Sequence, residues 1–302
     1  MTSDTRRLAS ICAIAKNEGP YLAEWAIYHR LLGFDSILVF DNDSTDDTRE
    51  VLERLSAAGI LVFRRFPART DGRVQKMAYA EGLRLLRPGF QWVAFIDIDE
   101  FLYIPGFDNS LPKFLDAYAH LDAIAINWSM FGSSRRKDQE PGLVIERFTR
   151  RAKATHGANK SIKTLARTDA LITPNVHNHE FARGVVYQTV AGEAVPPGVG
   201  RTGSAHHGII QVNHYFTKSA EEWKAKQARG RATKPDDHPD SARKAKDFVK
   251  HDRNEVEDTG LLPYAEAIRS KMVELGFPEN RMKPAQSLER RDQSAAPSPG
   301  AP

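Results

Sequence analysis

The amino-acid sequence predicts an α/β fold in which helices cover a mostly parallel sheet. Three observations predict it. Over the first hundred residues, short apolar runs of strand length alternate with segments of helical period. Each of the strongest polar clusters in this region directly follows one of those apolar runs. The composition, 41% hydrophobic and 27% charged over 302 residues, is that of an ordinary globular protein with one or two domains.

The predicted elements follow one another regularly as far as residue 96. Strands are predicted at 8–15, 36–40, 60–63 and 92–96. A helix opens at Gly19-Pro20 and carries apolar residues as far as Leu32, and further helices are predicted at 47–57 and 74–86. Strands that alternate with helices of about 10 to 15 residues imply a parallel sheet. Ligands of such sheets bind outside the carboxyl ends of the strands.

The second half of the chain is less regular. Strands are predicted at 123–127, 144–148 and 209–216, with loops around short strands at 173–208. We expect a tail at 1–7, one α/β domain at 8–216 and a helical, basic extension at 217–288. Residues 289–302 are predicted to be a disordered tail, because their Ser, Ala, Pro and Arg content offers little apolar surface to bury.

The charge balance and the cysteine count argue against several classes of protein. The 43 Lys and Arg against 39 Asp and Glu give a net charge of +4, too small for a general nucleic-acid-binding surface, so no nucleic-acid partner is expected. No run approaches the roughly 18 apolar residues of a membrane span, and the N-terminus lacks the apolar region of a secretory signal. The single cysteine, Cys12, excludes an intramolecular disulfide and predicts a reducing, cytoplasmic location.

A basic run follows residue 217, and it has two interpretations. It includes Lys224, Lys226, Arg229, Arg231 and Lys234. A solvated helix face is the more common explanation for such a run. The alternative is peripheral contact with an anionic lipid surface or an anionic glycan.

The sharpest chemical signal is the acidic segment after the strand predicted at 92–96. It contains Asp97, Asp99 and Glu100 between aromatic residues. If the strand continues, Asp97 and Asp99 point to the same side, and two such oxygens suit Mg²⁺ or Mn²⁺. The alternative is a solvated acidic turn that caps a helix. An EF-hand loop starting at Asp41 fails, because its sixth and twelfth positions are not Gly and Glu.

A second polar cluster, residues 41–46, follows the second predicted strand. One residue, Ser44 or Asp46, is expected to cap the next helix. Capping requires only one side chain, so Asp41 or Asp43 is predicted to meet a ligand, for example a ribose hydroxyl. Lys16, after the first strand, can neutralise a phosphate, although a lone lysine is more often simply solvated.

Seven segments together resemble the family 2-like and family 92-like glycosyltransferases. They span about residues 8–231: Ala15-Lys16-Asn17-Glu18, Glu24-Trp25, Asp41-Asn42-x-Ser44-x-Asp46, Phe95-Ile96-Asp97-Ile98-Asp99-Glu100-Phe101, Asn127-Trp128-x-x-Phe131-Gly132-Ser133, Lys160-Ser161-Ile162 and Asn213-His214-Tyr215-x-x-Lys218-Ser219. The resemblance implies the GT-A fold, in which an Asp-x-Asp pair holds Mn²⁺ or Mg²⁺ against the diphosphate of a nucleotide sugar.

The resemblance also implies roles for individual residues. Asp99 is the main metal ligand, and Asp97 contacts the ribose or reaches the metal through water. Asp41 meets the nucleotide base or ribose, and Asn17 joins the donor-binding residues. A lone histidine is more often structural than a ligand, but the Asn-His-Tyr context favours His214 as the third metal ligand. His177 is the second choice.

The expected chemistry follows from charge. Negative charge grows on the leaving nucleoside diphosphate, where a divalent cation stabilises it with Lys160 or Lys218 as phosphate partners. The acceptor hydroxyl needs a general base, for which Glu180, Asp138 and Glu140 stay open with a slight preference for Glu180. Two residues, Trp128 and Glu100, are predicted on the acceptor side, although a core role for the tryptophan is as common.

The sequence therefore predicts a metal-dependent glycosyltransferase. It would transfer a sugar from a nucleotide-sugar donor, expected to be UDP-linked, to a glycan or lipid-linked acceptor, with the inversion that the resemblance implies. A sugar-nucleotide pyrophosphorylase is one alternative, but residues 13–19 lack the Gly-rich loop and arginine of that class. A non-catalytic carbohydrate-binding module is the other, and it would not need an Asp-x-Asp pair.

Overall fold

A nine-stranded mixed sheet forms the centre of the computed structural model, which describes residues 5–67, 71–177, 179–196, 198–228, 243–278 and 281. Its strands and those of two small ribbons are β1 (Arg7–Ala15), β2 (Ser36–Asp41), β3 (Val62–Arg65), β4 (Phe90–Phe95), β5 (Glu100–Tyr103), β6 (Ala123–Met130), β7 (Arg150–Arg151), β8 (Ile162–Arg167), β9 (Leu171–Thr173), β10 (Glu180–Phe181), β11 (Tyr187–Thr189), β12 (Gln211–His214) and β13 (Val256–Glu257). The helices are α1 (Gly19–Leu32), α2 (Thr48–Ala57), α3 (Val74–Leu86), α4 (Leu111–Ala117), α5 (Val144–Arg147), α6 (Ala220–Ala228), α7 (Ala245–His251) and α8 (Ala265–Glu274).

The strand order brings many strand ends to one edge of the sheet. The order is β3-β2-β1-β4-β8-β6-β12-β5, with β11 beside β6. Strands β1 to β4 run parallel, and because β8 is antiparallel to both β4 and β6, strands β6 and β12 point the same way as β4. The carboxyl ends of β1, β2, β4, β6 and β12 therefore share an edge with the starts of β5 and β8. The predicted α/β fold with a mostly parallel sheet is confirmed.

Both faces of the central strand β1 are buried, as expected for a parallel sheet covered on two sides. Ile11 and Ala13 belong to the core beneath α1 and α2, whereas Cys12 faces α3 on the other side. Gly82 of α3 packs so closely on β1 that a Cβ at this position would overlap the Sγ of Cys12. Burial raises the pKa of the Cys12 thiol well above its ordinary value.

Most predicted strands and helices are confirmed within two or three residues, but the strand predicted at 144–148 is wrong. Val144–Arg147 forms the short helix α5. The backbone N–H groups of Val144 and Ile145 donate to the two carboxylate oxygens of Glu24, at 2.6 and 3.0 Å. A carboxylate at a helix N-terminus satisfies amides that have no partner within the helix. Because Glu24 lies about 120 residues earlier, the local pattern of apolar residues could not reveal this helix.

The packed core does not end at residue 216, where the sequence analysis placed a boundary. Leu261, Ile268, Met272 and Phe277 are buried in the same hydrophobic cluster as α1, and β13 pairs with β7. The predicted tail at 289–302 and the basic residues Arg229, Arg231 and Lys234 lie outside the described residues. Within the described ranges, no helix combines the length and the apolar character that crossing a membrane requires.

Candidate active site

The acidic residues lie in a tight turn between β4 and β5. Strand β4 ends at Phe95, and the backbone N–H of Glu100 donates to the carbonyl of Asp97 at 3.0 Å. The expectation that Asp97 and Asp99 share one face of a continuing strand is therefore wrong. The turn instead directs the two carboxylates to different lysine partners, as the following contacts show.

Lys163, in β8, neutralises the first half of the turn. Its Nζ lies 2.9 Å from Asp97 Oδ2 and 3.1 Å from Glu100 Oε2, and its side chain is 1% exposed. Burial disfavours the lysine's charge, but the two carboxylates hold its pKa above its ordinary value. Burial also raises the pKa of Glu100 to about 7, against the opposing effect of Lys163. Because Glu100 is fully buried, its predicted place on the acceptor side is wrong.

The other oxygen of Asp97 accepts hydrogen bonds from helix α3. Gln75 Nε2 and Tyr79 Oη lie 2.9 and 3.2 Å from Asp97 Oδ1. The Asp97 side chain nevertheless remains 32% exposed. Burial acts to raise the pKa of Asp97, but Lys163 outweighs it and holds this pKa below the ordinary value. Asp97 is thus an ionised, oriented carboxylate with one open side.

Asp99 faces a lysine and a histidine. Lys226 Nζ donates to Asp99 Oδ2 at 2.5 Å and to the carbonyl of Phe216 at 2.7 Å. His214 Nε2 lies 3.6 Å from the same Asp99 oxygen. Burial acts to raise the pKa of Asp99, but Lys226 and His214 hold it well below its ordinary value. Asp99 and His214, which the sequence analysis predicted to bind one metal ion, therefore lie close together. Lys226, for which a solvated position was the more common expectation, lies beside them.

The Trp128 ring contacts both histidines that the sequence analysis named as candidate metal ligands. Its ring centroid is 4.3 Å from that of His214 and 5.2 Å from that of His177. Its buried Nε1 has no hydrogen-bond partner among the described residues. Burial lowers the pKa of His177 to about 4, so this imidazole is neutral near pH 7, with Nδ1 3.1 Å from the carbonyl of Ile162. Trp128 is partly exposed at the carboxyl end of β6, which suits a stacking role.

The loops after β1 and β2 are tied together. Asn17 Oδ1 accepts from the backbone N–H of Thr45 at 2.8 Å, and the backbone N–H of Asn17 donates to Ser44 Oγ at 3.0 Å. Asp41 Oδ1 accepts from the N–H of Ser44 at 3.1 Å. Much of the hydrogen-bonding capacity of Asn17 therefore holds the neighbouring loop in place. Lys16 is half-buried directly after β1.

The remaining acidic residues of the second loop have identifiable roles. Asp46 Oδ1 accepts from the N–H of Thr48, the first residue of α2, but the residue at the N-cap position is Asp47, not Ser44 or Asp46 as predicted. Asp43 pairs with Arg65 at 2.8 Å, and its backbone has a φ of 50°. Asp43 is thus occupied by a basic residue of the edge strand β3, whereas Asp41 is buried at the end of β2.

A cavity of about 380 Å³ opens between these loops and helix α6. Lys218 Nζ lies 3.8 Å from the ring centroid of Tyr21 at this cavity, and Glu222 forms a buried pair with Arg147 at 3.0 Å. Lys218, just before α6, and Lys226, near the end of α6, thus both line this cavity. The charged and polar residues that line this cavity include Asn17, Glu18, Asp46, Lys218, Glu222 and Lys226.

The fit of a divalent cation depends on Asp99 and His214. Among the residues that the structure describes, no three His, Cys, Asp or Glu side chains are grouped closely enough to hold a metal ion. Asp99 Oδ2 and His214 Nε2, 3.6 Å apart, are nonetheless donor types that Mn²⁺ accepts, and small shifts would place both near the usual bond length of about 2.1 Å. The pair would supply two ligands of a divalent cation and leave its other positions to water or phosphate oxygens.

Two further predicted residues are Lys160, at the same edge of the sheet, and Glu180, on a separate two-stranded ribbon. Lys160 ends a 3₁₀ turn at the start of β8, and its carbonyl accepts from Asn127 Nδ2 at 3.4 Å. Glu180 is exposed on β10, which pairs with β9. No hydrogen bond or ion pair found among the described residues links Glu180 to Asp97, Asp99 or Trp128, so its role stays a prediction.

Two lysines of the site were missed by sequence analysis, although each left a signal. Lys163 lies in the interior of β8 next to the apolar Ile162, and a charge at such a buried position normally requires a partner. Lys226 lies three residues after Trp223 on α6, and both side chains are buried. Helical spacing therefore places this lysine on the packed face of α6 rather than on the solvated one.

Comparison with known proteins gives the family. Residues 10–231 match the sequence profile of Glycosyltransferase family 92. This chain belongs to glycosyltransferase family 92. It is 26% identical over 226 residues to a family 92 protein of Ricinus communis, covering 74% of this chain and 38% of the relative. With a family 92 protein of Oryza sativa subsp. japonica it shares 27% identity over 223 residues, covering 72% and 34%. The chain thus spans little more than a third of these relatives' length.

Solved structures overlap part of this family 92 chain. Residues 1–349 of TarS from S. aureus match with 18% identity and a TM-score of 0.35, over 54% of this chain and 48% of TarS. Glucosyl-3-phosphoglycerate synthase from Mycobacterium tuberculosis, solved with Mn²⁺, UDP and glucosyl-3-phosphoglycerate, matches with 18% identity and a TM-score of 0.30. That match covers 55% of this chain and 58% of the synthase.

Proposed function

We propose that this family 92 chain is a metal-dependent glycosyltransferase of the inverting type. Its donor is a nucleotide sugar, UDP-linked, and its acceptor is a hydroxyl of a glycan or a lipid-linked sugar. The observation that carries the proposal is the position of the acidic turn. Asp97 and Asp99 lie where the carboxyl ends of β1, β2, β4, β6 and β12 meet, the ligand-binding edge of such sheets. The cytoplasmic location and the membrane contact predicted from the sequence remain predictions.

Asp99 and His214 would hold the divalent cation, with Asp97 acting through water. When bound, Mn²⁺ or Mg²⁺ would stabilise the negative charge that develops on the leaving diphosphate. The ion pair with Lys163 keeps Asp97 ionised and fixed in orientation without the cation. The Asp-x-Asp pair is therefore organised in advance, which reduces the reorganisation needed when charge develops.

The other groups of the edge divide between donor and acceptor. Asp41, at the end of β2, is placed to accept a hydrogen bond from the nucleoside, and Lys218 to pair with phosphate oxygens at the cavity. Trp128 offers an aromatic face for an acceptor sugar. As the acceptor oxygen bonds to the anomeric carbon, the bond from that carbon to the diphosphate oxygen breaks and its electron pair leaves with the diphosphate. The acceptor proton passes to a general base, for which Glu180 is our proposal.

Binding experiments with the purified chain test this function. A panel of nucleotide sugars should include one that raises the melting temperature only when Mn²⁺ or Mg²⁺ is present. Asp99→Asn should abolish both this stabilisation and sugar transfer, whereas Asp116→Asn, an exposed aspartate on α4, should change neither. Formation of a nucleotide sugar from a nucleoside triphosphate and a sugar phosphate would instead support the pyrophosphorylase alternative.

A further inference from the structure

Lys226 is buried at the acidic turn, although it belongs to a strongly basic stretch of sequence. Helix α6 turns Glu222, Trp223 and Lys226 inward, while Lys224 remains exposed. The ammonium of Lys226 lies 2.5 Å from Asp99 Oδ2, 2.7 Å from the carbonyl of Phe216, and 4.3 Å from the centroid of the Phe216 ring. Three contacts thus hold one ammonium group beside the Asp-x-Asp pair.

Lys226 and a divalent cation would compete for the same carboxylate. A cation bound to Asp99 Oδ2 and His214 Nε2 would lie about 2.1 Å from Asp99 Oδ2. The ammonium of Lys226 already donates a hydrogen bond to the same oxygen at 2.5 Å. Two positive charges at such separations repel each other strongly in a buried site. Binding of a cation at this oxygen therefore favours movement of the ammonium away from it.

The cavity beside α6 gives the ammonium another place to bind. Lys226 and Lys218 both line it, and Lys218 also contributes to the positive potential that acts on Asp99. The lysine side chain has four rotatable methylene groups and three donors, so its head group can turn towards a new anion. A diphosphate in this cavity would offer such an anion next to Lys218.

We propose that Lys226 is a donor-binding residue that exchanges partners: it pairs with Asp99 until a divalent cation takes that carboxylate, and it then binds the diphosphate. This inference rests on the proposed function, because it assumes a nucleotide-sugar donor. It predicts that the cation and the diphosphate bind cooperatively. The cation releases Lys226 from Asp99 for the diphosphate, and the diphosphate draws Lys226 away from Asp99. Each ligand therefore increases the affinity for the other by the same factor.

Titration calorimetry with Mn²⁺ alone, UDP alone, and UDP with saturating Mn²⁺ tests the exchange. In Lys226→Met the competitor for Asp99 is lost, so Mn²⁺ alone should bind at least about fivefold tighter than to the unmodified chain. The phosphate partner is lost as well, so UDP with Mn²⁺ should bind about tenfold weaker. Lys224→Met, on the exposed side of the same helix, should change neither constant.

The opposite direction of the two effects separates this role from a structural one, since damage to the fold would weaken both. Equal or weaker binding of Mn²⁺ by Lys226→Met, or unchanged binding of UDP with Mn²⁺, would overturn the exchange. If Lys226→Met does not fold, Lys226→Gln, which keeps neutral donors, should show the same pair of shifts with smaller size. Failure of the unmodified chain to bind any nucleoside diphosphate with Mn²⁺ would count against the proposed function instead.

Discussion

The indole Nε1 of Trp25 donates a 2.8 Å hydrogen bond to the backbone carbonyl of Glu100, the first residue of β5. Helix α1 makes a second contact of this kind one turn later, where Tyr28 Oη donates to the carbonyl of Leu102 at 2.7 Å. His29 Nε2 accepts from the N–H of Leu102 at 3.2 Å, and burial lowers the pKa of His29 to about 3, which keeps the ring neutral. Side chains of α1 therefore complete the outer edge of β5 and fix where the acidic turn ends.

Replacement of the buried lysine of the turn should strongly destabilise the fold. We expect Lys163→Met to lower the free energy of unfolding by about 3 to 5 kcal/mol, because Glu100 and part of Asp97 would be left buried without a counter-charge. Urea unfolding measures this change. The double variant Lys163→Met/Glu100→Gln should recover part of the loss. A single variant within about 1 kcal/mol of the unmodified chain would show that the ion pairs are not needed.

Loss of His214 should weaken metal binding more than it weakens the fold. We expect His214→Ala to raise the Mn²⁺ concentration needed for half-maximal donor binding at least about tenfold, since a ligand would be removed. Thermal melting of the same variant measures the packing lost against Trp128. His120→Ala, an exposed histidine, serves as the control. A Mn²⁺ titration that overlays the unmodified chain would make His214 structural and His177 the candidate ligand.

The pH dependence of stability should contain a contribution from Glu24. Burial raises its pKa from 4.5 to about 7, although hydrogen bonds from Ile145 and Val144 oppose the rise. Between these values the folded chain binds the proton more tightly than the unfolded chain does, so stability is lost as pH rises, on the order of 3 kcal/mol in all. Glu24→Gln should lack this loss.

Melting curves from pH 5 to pH 8 test this contribution. The stability of the unmodified chain should fall relative to Glu24→Gln across this range. Glu50→Gln, an exposed glutamate on α2, should follow the unmodified chain at every pH. A constant difference between the unmodified chain and Glu24→Gln would mean that Glu24 does not titrate in this window.

Glu180 is the proposed general base, and its substitution should affect turnover alone. We expect Glu180→Gln to lower kcat at least about 100-fold, the smaller end of what a general base contributes. Its affinity for UDP with Mn²⁺ should be unchanged, because no contact within the described residues ties Glu180 to the donor side. Glu53→Gln on α2 provides a matched exposed control. A kcat close to that of the unmodified chain would return the role to Asp138 or Glu140.

The parts of the fold that the sequence predicted are those with local causes. The alternation of apolar runs and helical periods in residues 8–96 yields β1 to β4 and α1 to α3, because each element carries its own periodicity. Helix α5 could not be predicted this way, since the carboxylate that stabilises it comes from Glu24 in another helix. Likewise, the burial of α8 against α1 depends on contacts between distant segments.

The site was predicted with the same limits. The position of Asp97 and Asp99 after a buried strand correctly placed them at the carboxyl-end edge of the sheet, because strand direction alone determines it. The lysine partners were missed, because the local signals of Lys163 and Lys226 indicate burial but do not identify the carboxylate that each one meets. The pairing of Lys163 with Asp97 and of Lys226 with Asp99 joins segments far apart in the sequence.

The contact of Gly82 with Cys12 makes the reactivity of the Cys12 thiol a measure of how often α3 separates from β1. A thiol reagent can reach Cys12 only after α3 has lifted away from β1, because no space separates them. With one cysteine in the chain, the labelling rate follows that single opening event without any engineered tag. Since α3 also carries Gln75 and Tyr79 against Asp97, a ligand bound at the acidic turn should slow the labelling of Cys12 beneath the same helix.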